Sequence, residues 1–402
     1  MCSGVEAERA GLYLHVPFCR SKCAYCDFYS RPGFDDEALD RFAAAMQRDI
    51  CMAAALYGDY CFDSVFVGGG TPTVLGARLA DILQTAYSRL TFAADCEITV
   101  EANPESISPQ LAALLAANGV NRISLGAQSM DDVQLRLLGR IHSADTVAEA
   151  VEAVRKSGIA RLNLDLMFGL PYQRGDGEAQ LAVWESTLHA ALALGPDHLS
   201  AYSLKIEPGT PFDLHRAELA LPNEDEEADM YLAAVEYLNV QGYPQYEISN
   251  FAKNGCRCRH NLKYWHCEEY LGFGPSAHSY FSNCRFSFVR DLDAYLNAIE
   301  LPSSRIKLTA QCDEISPRER IGEYIMLHLR LNSGVRLSEF SREFGQDFEL
   351  MYGRKMQRYI DAGFAVRRGD SIALTPSGMF VSNYILSDIL DFADLGGEIF
   401  KG

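Results

Sequence analysis

The first half of the chain alternates short apolar runs with longer stretches whose hydrophobic residues recur at helical spacing. The apolar runs are rich in β-branched and aromatic residues, which favours strands, and they cover residues 12–16, 64–67, 97–100, 122–125, 162–167 and 198–204. The Ala- and Leu-rich stretches between them predict helices at residues 39–56, 78–90, 110–117, 144–156 and 179–194. Elements that alternate in this way form a parallel α/β sheet covered by helices, which is either open and doubly wound or a partial barrel. In both folds, ligands bind where the strands end.

The pattern changes after residue 220. A charged helix is predicted over residues 224–240. The last part of the chain predicts three helices, at residues 317–329, 337–344 and 349–362, and a hairpin formed by residues 364–368 and 371–374. Helices followed by a short hairpin indicate a winged-helix-like module. We therefore predict a main domain over residues 1–220, a continuation over 221–300 and an accessory domain over 301–402.

Composition and charge exclude some classes of protein. The formal net charge is −18, which argues against a nucleic-acid partner because phosphates require a basic surface. No apolar run reaches the ~18–20 residues of a membrane-spanning helix. Peripheral contact with a membrane is left open, although an anionic bilayer repels an acidic chain.

Three cysteines stand close together after the first predicted strand. Cys19, Cys23 and Cys26 have the spacing C-x3-C-x2-C, and three thiolates on one loop can hold three irons of a [4Fe-4S] cluster while the fourth iron stays open to a small molecule. A disulfide would need an oxidising compartment, and no apolar secretory segment precedes Cys19. A structural zinc site would need a fourth ligand at similar spacing, and none follows locally. The remaining cysteines are scattered, as is typical of reduced thiols in a cytoplasmic protein.

Glycine and polar residues follow the next strand ends. They are Gly68, Gly69, Gly70 and Thr71 after the second strand, Glu101 after the third, Gln128 after the fourth and Asp165 in the fifth. Glycines let backbone amides approach the carboxylate or amino group of a ligand, and acids and amides at a barrel mouth can hydrogen-bond a polar cofactor. Each polar residue also has a structural explanation: a solvated strand end for Glu101, a loop amide for Gln128 and a helix cap for Asp165.

A second group of chemically active residues lies at positions 256–266. Two cysteines, His260, Tyr264 and Trp265 fall within this segment. Imidazole and thiolate are common axial ligands of haem iron, and aromatic rings suit the flat apolar face of a porphyrin. The structural alternative is a surface strand with a hydrogen-bonded histidine and a buried tryptophan.

These motifs resemble those of the coproporphyrinogen-dehydrogenase-like branch of radical S-adenosylmethionine (SAM) proteins, over nearly the whole chain. They are YLHVPFC at residues 13–19, CDF at 26–28, GGGT at 68–71, NLDLMFGLP at 163–171 and HNLKYW at 260–265. The last matches the H-N-x-x-Y-W segment of the haem chaperone group within this branch, to which the chain is most similar.

The resemblance implies a partial (β/α)6 TIM-type barrel with a winged-helix-like C-terminal domain. It implies a [4Fe-4S] cluster at Cys19, Cys23 and Cys26, and haem at His260 with Tyr264 and Trp265 beside it. By their positions in the shared motifs, the implied SAM-binding residues are Tyr13, Gly70, Thr71, Glu101, Gln128, Arg140 and Asp165. The implied function is a cytoplasmic chaperone that delivers haem to respiratory or other haem proteins, in which the cluster serves assembly, redox sensing or dimer formation.

Two features depart from the dehydrogenase itself. Phe28 stands where that enzyme group has a further cysteine, and the segment before Cys19 is shorter than in the enzymes. Both weaken the alternative of an oxygen-independent coproporphyrinogen III oxidase of porphyrin biosynthesis. A related radical SAM methyltransferase is a third interpretation, and the sequence does not decide whether the protein is an enzyme.

Overall fold

The chain folds into two compact units in the computed structural model, which describes residues 8–172, 177–299 and 309–390. The first unit comprises Met1–Pro222 and Glu268–Glu314, and the second comprises Asn223–Cys267 and Ile315–Gly402. Each unit is therefore built from two separate parts of the chain. The domain boundaries at residues 220 and 300 stay a prediction.

Six parallel strands form the centre of the first unit. They are β1 (Arg9–Val16), β2 (Cys61–Gly69), β3 (Thr91–Ala102), β4 (Arg122–Gln128), β5 (Arg161–Phe168) and β6 (His198–Ser203). The helices that connect and follow them are α1 (Asp36–Tyr57), α2 (Ala77–Arg89), α3 (Pro109–Ala117), α4 (Asp132–Leu137), α5 (Ala144–Lys156), α6 (Gly177–Ala193) and α7 (Pro211–Leu214). The predicted α/β fold with a mostly parallel sheet is confirmed, and the six strands and five helices expected in this half are present.

Capping side chains fix where several of these helices begin. Asp35 accepts a hydrogen bond from Ala38 N at the start of α1, and Ser143 accepts one from Thr146 N at the start of α5. A side-chain oxygen at this position satisfies an amide that has no partner within the helix. The local sequence therefore sets the point at which each strand-end loop turns into a helix.

Four more strands extend the sheet on the β1 side. Tyr270–Phe273 pairs in parallel with β1, and His278–Phe281, Cys284–Phe288 and Thr309–Glu314 follow in antiparallel order. Within the described part of this unit, Thr309–Glu314 and β6 lie far apart in the strand order and do not pair. The sheet is therefore not a closed barrel.

Side chains alternate between two faces along the parallel strands. Leu14, Val67 and Leu125 are fully buried on one face, which the helices cover as one layer because α1 contacts α2, α2 contacts α3 and α3 contacts α5. On the other face, the strand register sets Glu101 opposite Ser124. This face is polar where the strands end, and the predicted site residues Glu101 and Asp165 lie there.

The second unit contains two helices joined by a short β-hairpin, together with the C-terminal module. Its first part consists of helix Glu224–Val240, the short strands Gln245–Glu247 and Asn250–Ala252, and helix Arg259–Trp265. Its second part contains helices Pro317–His328, Leu337–Phe344, Arg354–Asp361, Pro376–Phe380 and Ser382–Ile389 and strands Val335–Arg336, Ala365–Arg368 and Ser371–Leu374. The three strands form an antiparallel sheet with Ser371–Leu374 in the centre, as expected of a winged-helix-like module. The single helix predicted over residues 349–362 is instead a π-helical turn, Glu349–Gly353, followed by an α-helix.

Most of the described cysteines form no disulfide, as the sequence suggests. Cys61, at the start of β2, is the exception because it is disulfide-bonded. The prediction of reduced thiols is therefore wrong at this buried position. None of the helices in the described ranges is long and apolar enough to cross a membrane.

Candidate functional site

The three motif cysteines, Cys19, Cys23 and Cys26, lie on the loop that follows β1, at the carboxyl edge of the parallel sheet. The loop is tied to the segment after α4, because Ala24 N donates to Leu138 O (3.1 Å). It also turns back on itself, since Cys26 N donates to Cys23 O (3.3 Å). All three thiols are partly exposed, so a ligand can reach them from solvent.

Burial affects the protonation of two of these thiols, Cys19 and Cys26. It raises the pKa of Cys19, and it raises the pKa of Cys26 to about 11, so both groups keep their protons at neutral pH unless a metal replaces them. No three Cys, His, Asp or Glu side chains in the described ranges are grouped as ligands of one metal ion. In an iron-sulfur cluster each cysteine binds a different iron, and three partly exposed thiols on one anchored loop fit that arrangement.

A series of hydrogen bonds, which we call the polar chain, links Cys19 to Cys23 through three other residues. Cys19 Sγ lies 3.4 Å from Thr71 Oγ1, and Asn103 Nδ2 donates to the same hydroxyl oxygen (3.1 Å). Asn103 Oδ1 accepts from Arg140 Nη2 (2.7 Å), and Arg140 Nη1 donates to Cys23 Sγ (3.3 Å). The polar chain therefore connects the loops that follow β1, β2 and β3 with the segment after α4.

Arg140 is the only cation in the polar chain, and it also marks the end of β4. Its Nη2 donates to Gly126 O (2.8 Å), and a Cβ at Gly126 would lie 2.9 Å from Gln128 Nε2. Gln128 has a φ of +67°, so the strand ends in a left-handed residue that is not glycine. Arg140 Nη1, hydrogen-bonded to Cys23 Sγ at 3.3 Å, places a positive charge beside this sulfur.

The backbone amides of the glycine run are already in use. Each donates within the protein: Gly69 N to Glu101 Oε2 (3.1 Å), Gly70 N to Val16 O (2.8 Å) and Thr71 N to Phe18 O (2.7 Å). That Gly70 and Thr71 lie beside a ligand stays a prediction, although these three amides donate within the protein. They hold the end of β2 against its neighbours.

The glycines are needed because the end of β2 packs directly on β1 and on the cysteine loop. A Cβ at Gly69, whose φ is +111°, would lie 2.7 Å from the ring of His15. A Cβ at Gly70 would lie 2.4 Å from the carbonyl oxygen of Phe18, the residue before Cys19. A Cβ atom does not approach another heavy atom this closely in real proteins, so neither position has space for a side chain.

Two acids lie on the polar face of the sheet, at the ends of β3 and β5. Burial, followed by the nearby charge of Asp165, raises the pKa of Glu101 to about 8. Burial also raises the pKa of Asp165, which accepts hydrogen bonds from Ser124 Oγ (3.0 Å) and Asn163 Nδ2 (2.8 Å). Asp165 lies within β5, so the alternative of a helix cap is wrong. Near neutral pH, Glu101 can exchange a proton at little cost.

Glu101→Gln should change how stability depends on pH. With a folded-state pKa of about 8 against an ordinary value of 4.5, the folded state holds a proton that the unfolded state loses above pH 4.5. This carboxyl therefore lowers the free energy of unfolding as pH rises from 4.5 to 8, by up to about 1.4 kcal/mol per pH unit, with no further change above pH 8. Glutamine keeps an oxygen for Gly69 N but does not titrate. Urea denaturation at pH 5, 6.5 and 8 should therefore show the free energy of unfolding of the variant rising relative to that of the native chain as the pH rises.

The matched control for this experiment is Glu152→Gln. Glu152 is exposed and its pKa is lowered by its hydrogen bond with Lys156, so the same substitution there should give no gain as pH rises. A Glu101→Gln variant that parallels the native chain at all three pH values would contradict the assignment of a raised pKa.

Tyr13 and His15 form a hydrogen-bonded pair at the end of β1. Tyr13 Oη lies 3.0 Å from His15 Nδ1, and His15 Nε2 lies 3.1 Å from the carbonyl oxygen of Tyr29. Since a carbonyl only accepts, Nε2 carries the proton and Nδ1 accepts from the tyrosine hydroxyl. Burial lowers the pKa of His15 to about 4, and burial together with Glu101 raises the pKa of Tyr13. Both rings are therefore uncharged at neutral pH.

Asn163 connects Asp165 to the interior of the sheet. Its Nδ2 donates to Ser124 Oγ (2.7 Å) and Ser200 Oγ (3.1 Å), and its Oδ1 lies 2.6 Å from His198 Nδ1. These residues and Asn103 and His15 were not predicted as site residues. Only their places in the strand pattern could have identified them from the sequence, because each lies on the polar side of a strand or at its end.

The predicted SAM-binding residues are thus brought to one edge of the sheet, together with the motif cysteines. Thr71 and Arg140 contact the cysteines directly, and the charges of Glu101, Asp165 and Tyr13 influence one another. Burial, acids and hydrogen-bond donors at this edge suit a polar, charged cofactor. That SAM occupies it stays a prediction.

The predicted haem segment is a short helix of the second unit, Arg259–Trp265. His260 is fully buried, and its Nε2 lies 2.8 Å from Tyr264 Oη. Burial and then the Lys263 charge lower the pKa of His260 to about 3, so the imidazole is neutral. Trp265 is only partly buried. The alternative of a surface strand with a buried tryptophan is therefore wrong, although the histidine is hydrogen-bonded as that alternative supposed.

Comparison with known protein families gives two matches. The Radical SAM superfamily matches residues 13–178, and the HemN C-terminal domain matches residues 315–381. The first match contains the motif cysteines and the strand ends around them. The second covers most of the winged-helix-like module.

Similar proteins extend along most of the chain. The heme chaperone HemW of Bacillus subtilis is 32% identical, over 94% of this chain and 98% of that protein. HemW of Mycobacterium tuberculosis strain H37Rv is 33% identical over 94% of each, and the mitochondrial radical S-adenosyl methionine domain-containing protein 1 of Bos taurus is 40% identical over 68% of this chain and 61% of its own length. Among solved structures, the coproporphyrinogen III oxidase HemN of Escherichia coli superposes with a TM-score of 0.82 at 21% identity, over 95% of this chain and 90% of that one. This likeness shows a shared fold.

Proposed function

Because the chain belongs to the family of the heme chaperone HemW within the radical SAM superfamily, we propose that it binds haem and passes it to acceptor haem proteins. The observation that carries the proposal is helix Arg259–Trp265, in which the partly exposed Tyr264 contacts His260 and the partly exposed Trp265 is the next residue. Aromatic faces pack well against the flat apolar surface of a porphyrin. His260 holds the ring of Tyr264 in place through its hydrogen bond.

We further propose that Cys19, Cys23 and Cys26 hold a [4Fe-4S] cluster, with SAM beside it at Tyr13, Gly70, Thr71, Glu101, Gln128, Arg140 and Asp165. When bound, such a cluster supplies an electron to SAM or serves as a structural or redox-sensing centre. The chain's own residues prepare the site for a charged ligand. Arg140 offsets negative charge at Cys23, and Asp165 is held ready as an acceptor by Ser124 and Asn163.

The loop after the motif cysteines supports a chaperone over a coproporphyrinogen III oxidase. Phe28 occupies the position of the additional cysteine of that enzyme group, and it is 69% exposed. An exposed phenyl ring supplies neither a thiol nor a proton donor next to a substrate. It offers an apolar contact at the surface instead.

The remaining proposals concern surroundings and partners. We propose that the protein works in the cytoplasm, delivers haem to respiratory or other haem proteins, and uses its cluster for a dimer or for sensing. The charge of −18 favours acceptors with basic surfaces, because opposite charges speed association. Where those acceptors lie in a membrane, this charge favours contact with the acceptor rather than with anionic lipid.

An anaerobic haem titration tests the proposed function. We expect the native chain to shift the Soret band of added haem and to saturate. His260→Ala should raise the haem concentration needed for half-saturation by about tenfold, because Tyr264 loses the hydrogen bond that positions it. This change corresponds to about 1.4 kcal/mol of binding free energy. His215→Ala, at an exposed imidazole paired with Glu218, is the control and should titrate like the native chain.

Three outcomes would contradict the proposal. One is a native chain that leaves the haem spectrum unchanged, and another is a His260→Ala variant that binds as tightly as the native chain. The third comes from anaerobic incubation with reductant, SAM and coproporphyrinogen III, where formation of protoporphyrinogen would identify the protein as the oxidase.

A further inference from the structure

We propose that His266, the residue after the H-N-x-x-Y-W segment, ligates the iron of bound haem, and that His260 is a positioning residue. The inference rests on the proposed function, because it assigns the iron ligand within the same haem segment. It follows from a difference in exposure between two imidazoles near the ends of one helix.

His260 has no surface that a haem could reach. It is 0% exposed, and its Nε2 is engaged with Tyr264 Oη at 2.8 Å, with the two rings edge to face. Ligation by Nε2 would break that hydrogen bond and draw both the ring and the helix out of the protein interior. The cost of exposing the buried surroundings would oppose binding.

His266 lies at the other end of the helix and is exposed. Its backbone N donates to Leu262 O (2.9 Å), so the residue ends the helix in a fixed position. Because an α-helix turns about 100° per residue, positions 260 and 266 point to different sides. His266 is exposed where His260 is buried, and it directly follows the partly exposed Trp265 in the sequence.

The ring of His266 rests on an aromatic support within the same unit. Its centroid lies 5.4 Å from that of the buried His328, at an interplanar angle of 62°. His328 in turn stacks on Tyr324 with a centroid distance of 3.6 Å, and its Nδ1 lies 2.9 Å from Tyr324 O. Nδ1 therefore carries the proton and donates to the carbonyl. A supported ring loses little freedom when it binds a metal, which favours it as a ligand.

The cysteines of the segment are weaker candidates. Cys258 is 1% exposed, and its N donates to Tyr246 Oη (3.2 Å). Cys267 is partly exposed directly after His266, with a φ of +55°. A thiolate ligand at Cys267 would give haem a spectrum different from that of an imidazole complex, which makes the two assignments distinguishable.

The test compares His266→Ala, His260→Ala and Cys267→Ala in the full chain, titrated anaerobically with ferric haem. Absorption and electron paramagnetic resonance spectra report the iron ligand. We expect His266→Ala to lose the native spectrum of the bound haem and to regain it when free imidazole is added. His260→Ala should bind more weakly but with the native spectrum, and imidazole should not restore its affinity.

Each result has a defined meaning. A native spectrum in His266→Ala overturns the inference, and so does rescue of His260→Ala by imidazole, since that would make His260 the ligand. Loss of the native spectrum in Cys267→Ala alone would assign a thiolate and would also overturn it. A native chain that binds no haem would instead refute the proposed function. Circular dichroism checks folding, and His266→Ala should match the native chain because the replaced ring is exposed.

Discussion

Cys23→Ser should abolish formation of an iron-sulfur cluster while leaving the protein folded. Anaerobic reconstitution of the native chain is expected to give about four irons and four sulfides per chain, with visible absorption from the cluster. Serine provides a poor ligand for iron compared with a thiolate. Cys23 also anchors one end of the polar chain through Arg140, so this variant removes both a proposed iron ligand and a hydrogen-bond partner of Arg140.

The substitution is mild for the fold, because Cys23 is partly exposed and serine has nearly the same volume. Cys51→Ser is the matched control, since Cys51 is a free, exposed cysteine of the same unit, on α1. It should incorporate iron and sulfide as the native chain does. Full iron and sulfide content in Cys23→Ser, or an equal loss in Cys51→Ser, would refute the assignment of the motif cysteines.

Gly70→Ala should destabilise the first unit and disturb the cysteine loop at the same time. The added Cβ would lie 2.4 Å from Phe18 O and 2.9 Å from Phe18 C. These are backbone atoms, which cannot rotate away as a flexible side chain would. The hydrogen bonds from Gly70 N to Val16 O and from Thr71 N to Phe18 O hold the two segments together. We expect a loss of about 1–3 kcal/mol in the free energy of unfolding, the usual cost of overpacking.

Urea denaturation measures that loss, and iron content after reconstitution measures the displacement of Cys19, which follows Phe18. Gly353→Ala is the control: the nearest atom to its added methyl group is Glu349 Cβ at 3.4 Å, and alanine favours the helical backbone there. It should be neutral or slightly stabilising. If Gly70→Ala unfolds at the native urea concentration and binds the native amount of iron, the close packing of β2 on the cysteine loop is not needed.

The periodicity of apolar residues and the spacing of the strand and helix stretches were sufficient to predict the parallel part of the fold. The runs at residues 12–16 and 122–125 alternate buried and polar-face residues, and the stretch at 39–56 has helical periodicity, so each element carries its own local signal. The cysteine spacing and the strand-end acids could be found in the same way. Each depends only on residues that are neighbours in sequence.

What the sequence could not provide depends on contacts between distant segments. The bond from Asn103 to Arg140 joins two loops, and neither residue type is unusual at a strand end. The glycine run looks like a ligand-binding loop from its composition, but its amides are used by Val16, Phe18 and Glu101. The haem segment is also compatible with a surface strand by its sequence, because a helix of seven residues has too few turns to show a clear period.

The partition of the chain was equally hidden. Glu268–Glu314 returns to the first unit, where Tyr270–Phe273 pairs with β1, while the preceding Asn223–Cys267 belongs to the second. Composition does not change at residue 268, and strand pairing between positions 11–14 and 270–273 leaves no local trace. The partition therefore becomes visible only in three dimensions.

The polar chain from Cys19 to Cys23 has a consequence for the life of the inorganic centre. Two of the three sulfurs are held by hydrogen bonds to neutral and cationic groups of the protein, so their positions are supported by contacts that do not involve iron. We therefore expect the protein to stay folded when oxidation removes the cluster. Iron and sulfide should then rebuild a cluster at the same three cysteines, repeatedly and without unfolding of the protein.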